Sequence, residues 1–219
     1  IFLLIILLSL AFIWLTQIKD FALSLTAMAV AIVIATKELI LCASGGFLRN
    51  FSRSYRIGDR ISIAEYRGDV VSIDLLTTAL LEIGPGSSSH QYTGRSITLP
   101  NSLFLLHGVV NETFTEDYIL HVFSIPISVK SDWKKAEAIL LSSADEVVSE
   151  FKHLAKEKME KLGKKTGLEV PNVEPRVTIV IQDAETYNLL LRVPVPSLRK
   201  GKIEQAILRR FLEQFASSK

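Results

Sequence analysis

The 219-residue chain is 48% hydrophobic and 22% charged, and its mean hydropathy of +0.31 is higher than a soluble domain of this size normally shows. Its 25 Lys and Arg against 23 Asp and Glu leave a formal charge of +2, too little to imply a nucleic-acid partner. The single cysteine, Cys42, excludes an internal disulfide and fits a reducing compartment.

The excess hydropathy lies at the start of the chain. From Ile1 to Thr36 the only charged residues are Lys19 and Asp20, and the remainder has ordinary soluble composition. This predicts a membrane-embedded part and a water-exposed part large enough for one or two small domains. "IFLLIILLSLAFIWLTQ" is apolar for roughly 16 residues, about 24 Å of helix, short of a ~30 Å hydrocarbon core. The chain opens at Ile1 inside this run, so the expectation is that the natural start and earlier helices are missing. A signal peptide is a poor reading, because no basic leader or small-residue cleavage site is visible. Trp14 suits an interface. Ile18–Asp20 reads as a polar break and Phe21 to Thr36 as a second span, making residues 1–36 an antiparallel transmembrane helical hairpin.

The second run is rich in alanine. Ser24, Ala27, Ala31 and Ala35 share one helix face, and small residues at that spacing let helices approach closely in lipid. Val30 and Ile34 form an i, i+4 pair on another face. The run fits a helix packed among copies of itself with an apolar face to a pore; it equally fits an ordinary span with much alanine. Residues 37–54 turn amphipathic: Leu39, Ile40, Ala43, Phe47, Leu48 and Phe51 form an apolar stripe expected to lie at an interface or on other protein. Gly45 and Gly46 cost a helix roughly 1 kcal/mol each and permit a bend or close packing. Arg49, Arg53, Arg56, Arg60 and Arg67 follow the membrane exit, which by the positive-inside rule places everything after Thr36 in the cytoplasm.

Residues 55–114 read as short Gly-punctuated strands, "YRIGDRISI", "GDVVSIDLLTTALLEI" with a break near Asp74, "SITLP" and "HGVVNETF". They predict a small β-barrel or sandwich. Residues 115–219 read as βαββα, an α+β layer: a strand at "YILHVFSIPISV", a long helix capped by Ser131, a hairpin around Asp183 to Thr186 and a final amphipathic helix. The long helix is expected to bury Trp133, Ala136, Leu140, Ala144, Val147, Phe151 and Leu154.

"GPGSSSHQYTG", Gly84 to Gly94, lacks the Lys-Ser/Thr of a phosphate loop and reads as a hairpin loop. His90, His107, His121 and His153 form no metal-ligand spacing with one another or with Cys42, and read as solvated or structural histidines. No Ser, His and Asp arrangement stands out as catalytic, and no cofactor is expected. The sequons at Asn50 and Asn111 carry no meaning on a cytoplasmic face.

"YRIGDRISI", "RGDVVSIDLLTTAL", "GRSITLPNSLFL" and "VVNETF", following a small-residue helix and an amphipathic one, resemble the small-conductance mechanosensitive channel family (MscS-type). The likeness runs in motif from about Phe21 to Phe114, and in element order to about Phe215. It implies a homoheptamer whose last membrane helix lines a pore, with an Sm-like β domain and a ferredoxin-like α+β domain forming a cytoplasmic vestibule. Counting back from "YRIGD", the family's two apolar constriction positions fall on Val30 and Ile34, the implied pore gate. Ala27, Ala31 and Ala35 are the implied helix-packing positions. The family's first hinge glycine falls on Glu38, a departure, and its second on Gly46, so the bend is assigned to Gly45 and Gly46, or else the Lys37 and Glu38 region bends for another reason. Lys37 and Glu38 stand at the implied pore mouth, where they either bias ion choice or form a salt bridge with a neighbouring helix or headgroup.

The implied activity is ion and osmolyte release through a tension-gated channel of the bacterial inner membrane, with membrane lipids, permeant ions and further copies of the chain as partners. Two other readings compete. One is a membrane-anchored Sm-like module for RNA or a protein scaffold; the low net charge and lack of an evident aromatic platform speak against RNA. The other is a membrane-anchored hydrolase or regulator, which lacks an evident nucleophile or metal cluster.

Overall fold

The computed structural model describes residues 1–84, 90–115, 117–167 and 172–217. Its first element, α1 (Phe2–Ser52), is one unbroken helix of 51 residues, about 75 Å long. The helical hairpin over residues 1–36 is therefore corrected: no turn forms at Ile18–Asp20. That triplet contains neither Gly nor Pro, and Lys and Asp cost a helix interior only about 0.7 kcal/mol or less each. The helix also continues without a break into residues 37–52 instead of bending away. Along its apolar length the hydroxyls of Ser9, Thr26 and Thr36 donate to the carbonyls four residues earlier, at 2.8, 2.7 and 2.8 Å. These three hydroxyls are thus satisfied within the helix itself. Arg53 ends α1 in the left-handed region at φ 50°, its N–H donating to the Arg49 carbonyl at 3.0 Å.

The expected strands of the second segment are β1 (Arg60–Ile63), β2 (Tyr66–Ile73), β3 (Thr77–Gly84), β4 (Gln91–Pro100) and β5 (Val109–Asn111). They form one antiparallel sheet in the order β4-β3-β2-β1-β5, and a four-residue helix α2 (Leu103–Leu106) joins β4 to β5. The β3–β4 connection is the hairpin that "GPGSSSHQYTG" predicts, although 85–89 at its tip lie outside the described residues. Tyr55, Ile61, Ile63, Val70, Leu80, Leu99 and Phe104 make the core of this unit. Each such large apolar side chain contributes about 1.5–3 kcal/mol by leaving water. Gly68 is dictated by crowding: a Cβ there would lie 2.9 Å from the Leu81 carbonyl carbon and closer to its oxygen.

The third segment follows the predicted βαββα order: β6 (Tyr118–Ser128), α3 (Trp133–Thr166), β7 (Arg176–Ile181), β8 (Thr186–Pro196), a short 3₁₀ turn and α4 (Lys200–Ser217). The sheet runs β6-β8-β7, all antiparallel. Alternation along β6 and β8 sends Phe123, Ile125, Ile127, Leu189, Leu191 and Val193 to one face. There they meet Ala136, Leu140, Ala144, Val148 and Phe151 of α3, with Ile207 and Phe211 of α4. Two expectations shift here. Asp132, not Ser131, caps α3, its carboxylate accepting from the N–H groups of Lys134 and Lys135 at 3.1 and 3.2 Å. The buried stripe drifts from Ala144 to Val148, Ala155 and Met159, while Trp133 and Leu154 stay largely exposed.

Candidate functional site

The site begins where the long helix meets the β domain. Cys42, Gly45 and Gly46 are the buried residues among the described side chains of α1. They rest on the turn between β2 and β3 and on the segment joining β4 to α2. A Cβ at Gly45 would lie 2.6 Å from the Asn101 carbonyl carbon and closer to its oxygen. One at Gly46 would lie 3.1 Å from Asn101 Nδ2 and crowd the Leu75 carbonyl oxygen. Glycine is therefore required for backbone to touch backbone, and the helix stays unbroken through the pair. The large apolar side chains of the stripe, expected at an interface or on other protein, are not covered by the β domain: Leu39, Ile40, Phe47, Leu48 and Phe51 are 58%, 54%, 58%, 48% and 82% exposed. Only the small-residue face lets the helix axis come this close.

The surface beneath the glycines is held by the residues that carry the sequence resemblance. Asn101, fully buried, donates from Nδ2 to the carbonyls of Asp74 and Leu75 at 3.0 and 2.9 Å. Its Oδ1 accepts from Thr78 Oγ1 at 2.9 Å, and Thr78 lies 3.0 Å from the Tyr55 hydroxyl. The Thr pair and the Pro-Asn step are thus two sides of one hydrogen-bonded seat. The Gly-Asp turn is built similarly. Gly58 sits at φ 92°, and Asp59 accepts from the Arg56 N–H at 2.9 Å and from Asn111 Nδ2 at 3.0 Å.

Toward its N-terminus the side chains of α1 are exposed among the described residues. Val30 and Ile34 are 51% and 70% exposed, and Ala27, Ala31 and Ala35 are exposed as well. At 3.6 residues per turn the two sets occupy faces roughly 80° apart, so one copy of the chain satisfies neither. Lys37 and Glu38 are exposed one turn above the first buried residues. Below the helix, Arg49, Arg53 and Arg56 line a cleft of about 600 Å³ with Asn50, Tyr55, Ile57 and Ile73. Arg60 and Arg67 belong elsewhere, although both were counted as basic residues of the membrane exit. Arg60 is only 2% exposed and forks onto Asp69 at 2.6 and 3.0 Å. Arg67 is 8% exposed and forks onto Glu112 at 2.7 and 3.0 Å. Charge in the sequence had suggested a membrane role; burial makes these two structural.

Arg67 and Glu112 open onto a polar junction between the β domain and the C-terminal domain. Lys200, at the start of α4, donates to Glu112 Oε2 at 2.6 Å. Burial acts to raise the Glu112 carboxyl, but hydrogen bonds from Arg67 and Lys200 prevail and hold it down at about 2. Burial also pushes the Lys200 ammonium below its usual value, against the pull of Glu112. His90 of the β3–β4 loop and His121 of β6 meet here, ring centroids 5.4 Å apart, beside Glu204 of α4. Sequence spacing hid this cluster, whose members come from three separate elements. Of the two readings offered for these histidines, solvated or structural, burial rules out the first, since their side chains are only 9% and 11% exposed.

An apolar helix long enough by length and composition to cross a membrane is seated by glycines on a β domain that leads into an α+β domain. The family model described as the mechanosensitive ion channel β-domain matches residues 43–113, from within the glycine seat to the end of the β domain. The mechanosensitive channel MscK of Escherichia coli K12 is 23% identical over 120 residues, which is 55% of this chain and 10% of that protein. The closed-state crystal structure of Helicobacter pylori MscS covers 90% of this chain and 67% of its own, with a TM-score of 0.61 at 16% identity. The cryo-EM structure of Arabidopsis thaliana MSL1 covers 84% of this chain and 57% of its own, with a TM-score of 0.50 at 19% identity. The β-domain match, the curated relatives and the fold likeness together support an MscS-type family for this chain. It spans about a tenth of the length of the curated relatives it matches.

Proposed function

We propose that this chain is a subunit of a tension-gated channel that releases ions and small osmolytes during hypoosmotic stress. The observation that carries the reading is the isolated apolar half of α1, rooted in a β domain of the channel family yet with both its alanine face and its Val30–Ile34 face uncovered. Copies of the chain, seven by analogy with the family, cover the Ala27, Ala31 and Ala35 face by helix packing. Val30 and Ile34 then form apolar rings that stop ions by dewetting. Gly45 and Gly46 are the anchored end of the hinge: they hold α1 on Asn101 and Leu75, and the segment from Lys37 to Leu41 changes direction. Lys37 and Glu38 ring the pore mouth and bias ion choice. The β domain is Sm-like and the C-terminal domain ferredoxin-like, and both hang on the cytoplasmic side of a bacterial inner membrane, consistent with Arg49, Arg53 and Arg56 below the helix. Tension favours the open state only through its larger in-plane area.

The test is patch-clamp recording of the full-length protein in liposomes under graded suction. Stepwise currents that open with tension support the reading. A folded, inserted protein that stays silent up to membrane rupture overturns it.

A further inference from the structure

We propose that His90, His121 and Glu204 form a binding site for a divalent transition metal, Zn²⁺ foremost, that ties the β domain to the C-terminal domain. The three donor atoms lie within 4.8 Å of one another. Glu204 Oε2 is 2.7 Å from His121 Nε2 and 3.6 Å from His90 Nε2. A metal with bonds of about 2.0–2.1 Å needs its donors about 3.3 Å apart, so the observed spacings straddle the requirement. Small opposite shifts of two side chains complete a two-nitrogen, one-oxygen set, and water supplies the open position. Imidazole and carboxylate donors suit Zn²⁺, Co²⁺ and Ni²⁺ better than Mg²⁺ or Ca²⁺, which prefer oxygen alone.

The surroundings fix the protons and the charges. Arg67 Nη2 lies 3.0 Å from His90 Nδ1, and because a guanidinium only donates, Nδ1 accepts and Nε2 carries the proton. His121 Nε2 likewise donates to the Glu204 carboxylate. Metal entry moves each imidazole proton from Nε2 to Nδ1 by exchange with water, so no net proton is released. His90 gives up its bond from Arg67, which retains the fork onto Glu112. Arg67 and Lys200 oppose a cation; Glu112 offsets one of their two charges, and the Glu204 carboxylate brings the second negative charge to the junction. The backbone is set for the site: a Cβ at Gly201 would lie 2.5 Å from the His90 Cβ, so glycine lets the first turn of α4 close over the ring. This inference does not depend on channel activity.

The experiment is titration of the purified full chain in detergent with Co²⁺, read by its visible d–d absorption, and with Zn²⁺, read by calorimetry. Wild type is expected to bind one ion per chain with a tetrahedral Co²⁺ spectrum that Zn²⁺ displaces. His121→Gln and Glu204→Gln should each weaken binding at least tenfold, and His153→Gln should not. Glu204→Gln keeps an oxygen to accept from His121, so it guards against a variant that merely misfolds. Absence of the tetrahedral bands, or binding unchanged in both His121→Gln and Glu204→Gln, overturns the proposal.

Discussion

Replacing Gly45 by Ala sets two physical effects against each other. In an exposed helix the change stabilises by about 1 kcal/mol, because glycine is the poorer helix former. At this position the new Cβ would stand 2.6 Å from the Asn101 carbonyl carbon, roughly 0.8 Å inside ordinary contact, and nearer still to the oxygen. A backbone carbonyl has no rotamer with which to retreat, and Asn101 is pinned through Asp74, Leu75 and Thr78. Overpacking costs about 1–3 kcal/mol, and the upper end applies where backbone must move. The net expectation is a loss of about 2 kcal/mol in the docking of α1, with faster amide exchange around residues 42–46 and 101–106. Chemical denaturation and hydrogen exchange of the purified protein in detergent measure both. Ser44→Ala, on the exposed side of the same turn, is the reference and should stabilise slightly. If Gly45→Ala behaves like Ser44→Ala, the close approach is refuted.

Three other outcomes follow from the same structure. Asp69→Ala strands the buried Arg60 guanidinium and should cost about 3–5 kcal/mol in urea unfolding, whereas Arg60→Met combined with Asp69→Leu should recover most of it; equal losses in both would contradict the pairing. Glu112 is held at about 2 against a usual 4.5, so the unfolded chain takes up its proton first on acidification. The stability Glu112 provides is complete above about pH 4.5 and drains away as pH falls toward 2, and a Glu112→Gln variant should show a shallower slope in that window; parallel slopes would dismiss the ionic junction. Val30→Ser or Ile34→Ser should lower the tension needed for opening, because a polar ring wets more easily; thresholds matching wild type would mean the gate lies elsewhere on α1.

The elements after Ser54 were largely legible in the sequence because glycine, proline and alternation mark them. The break near Asp74 separates β2 from β3, and β6 alternates between exposed and buried from Val122 to Ser128. The membrane end misled for a definite reason. Ile18–Asp20 looks like a turn by polarity, but polarity does not stop a helix without a residue that forbids helical dihedrals. Gly45 and Gly46 were visible as exceptional; their partner was not, since Asn101 comes from the far end of β4. The apolar stripe of Leu39, Ile40 and Phe47 pointed to a docking face, while docking uses the small residues beside it. Arg60 and Arg67 could have been told from the surface arginines by Asp69 and Glu112, which stand in the same motifs. Nothing local could have joined His90, His121 and Glu204, whose meeting depends on how the two domains pack.

The glycine seat also sets a mechanical advantage. From Gly45 to Phe2 the helix extends about 65 Å, so each degree of rocking at the seat sweeps its far end through about 1 Å. The fulcrum is backbone against backbone, with no flexible side chain to absorb the rotation. Displacement at the far end is correspondingly reduced at the fulcrum, while the force delivered there is multiplied. A lateral shift of several ångströms at the far end therefore amounts to only a few degrees of rotation at the Asn101 turn.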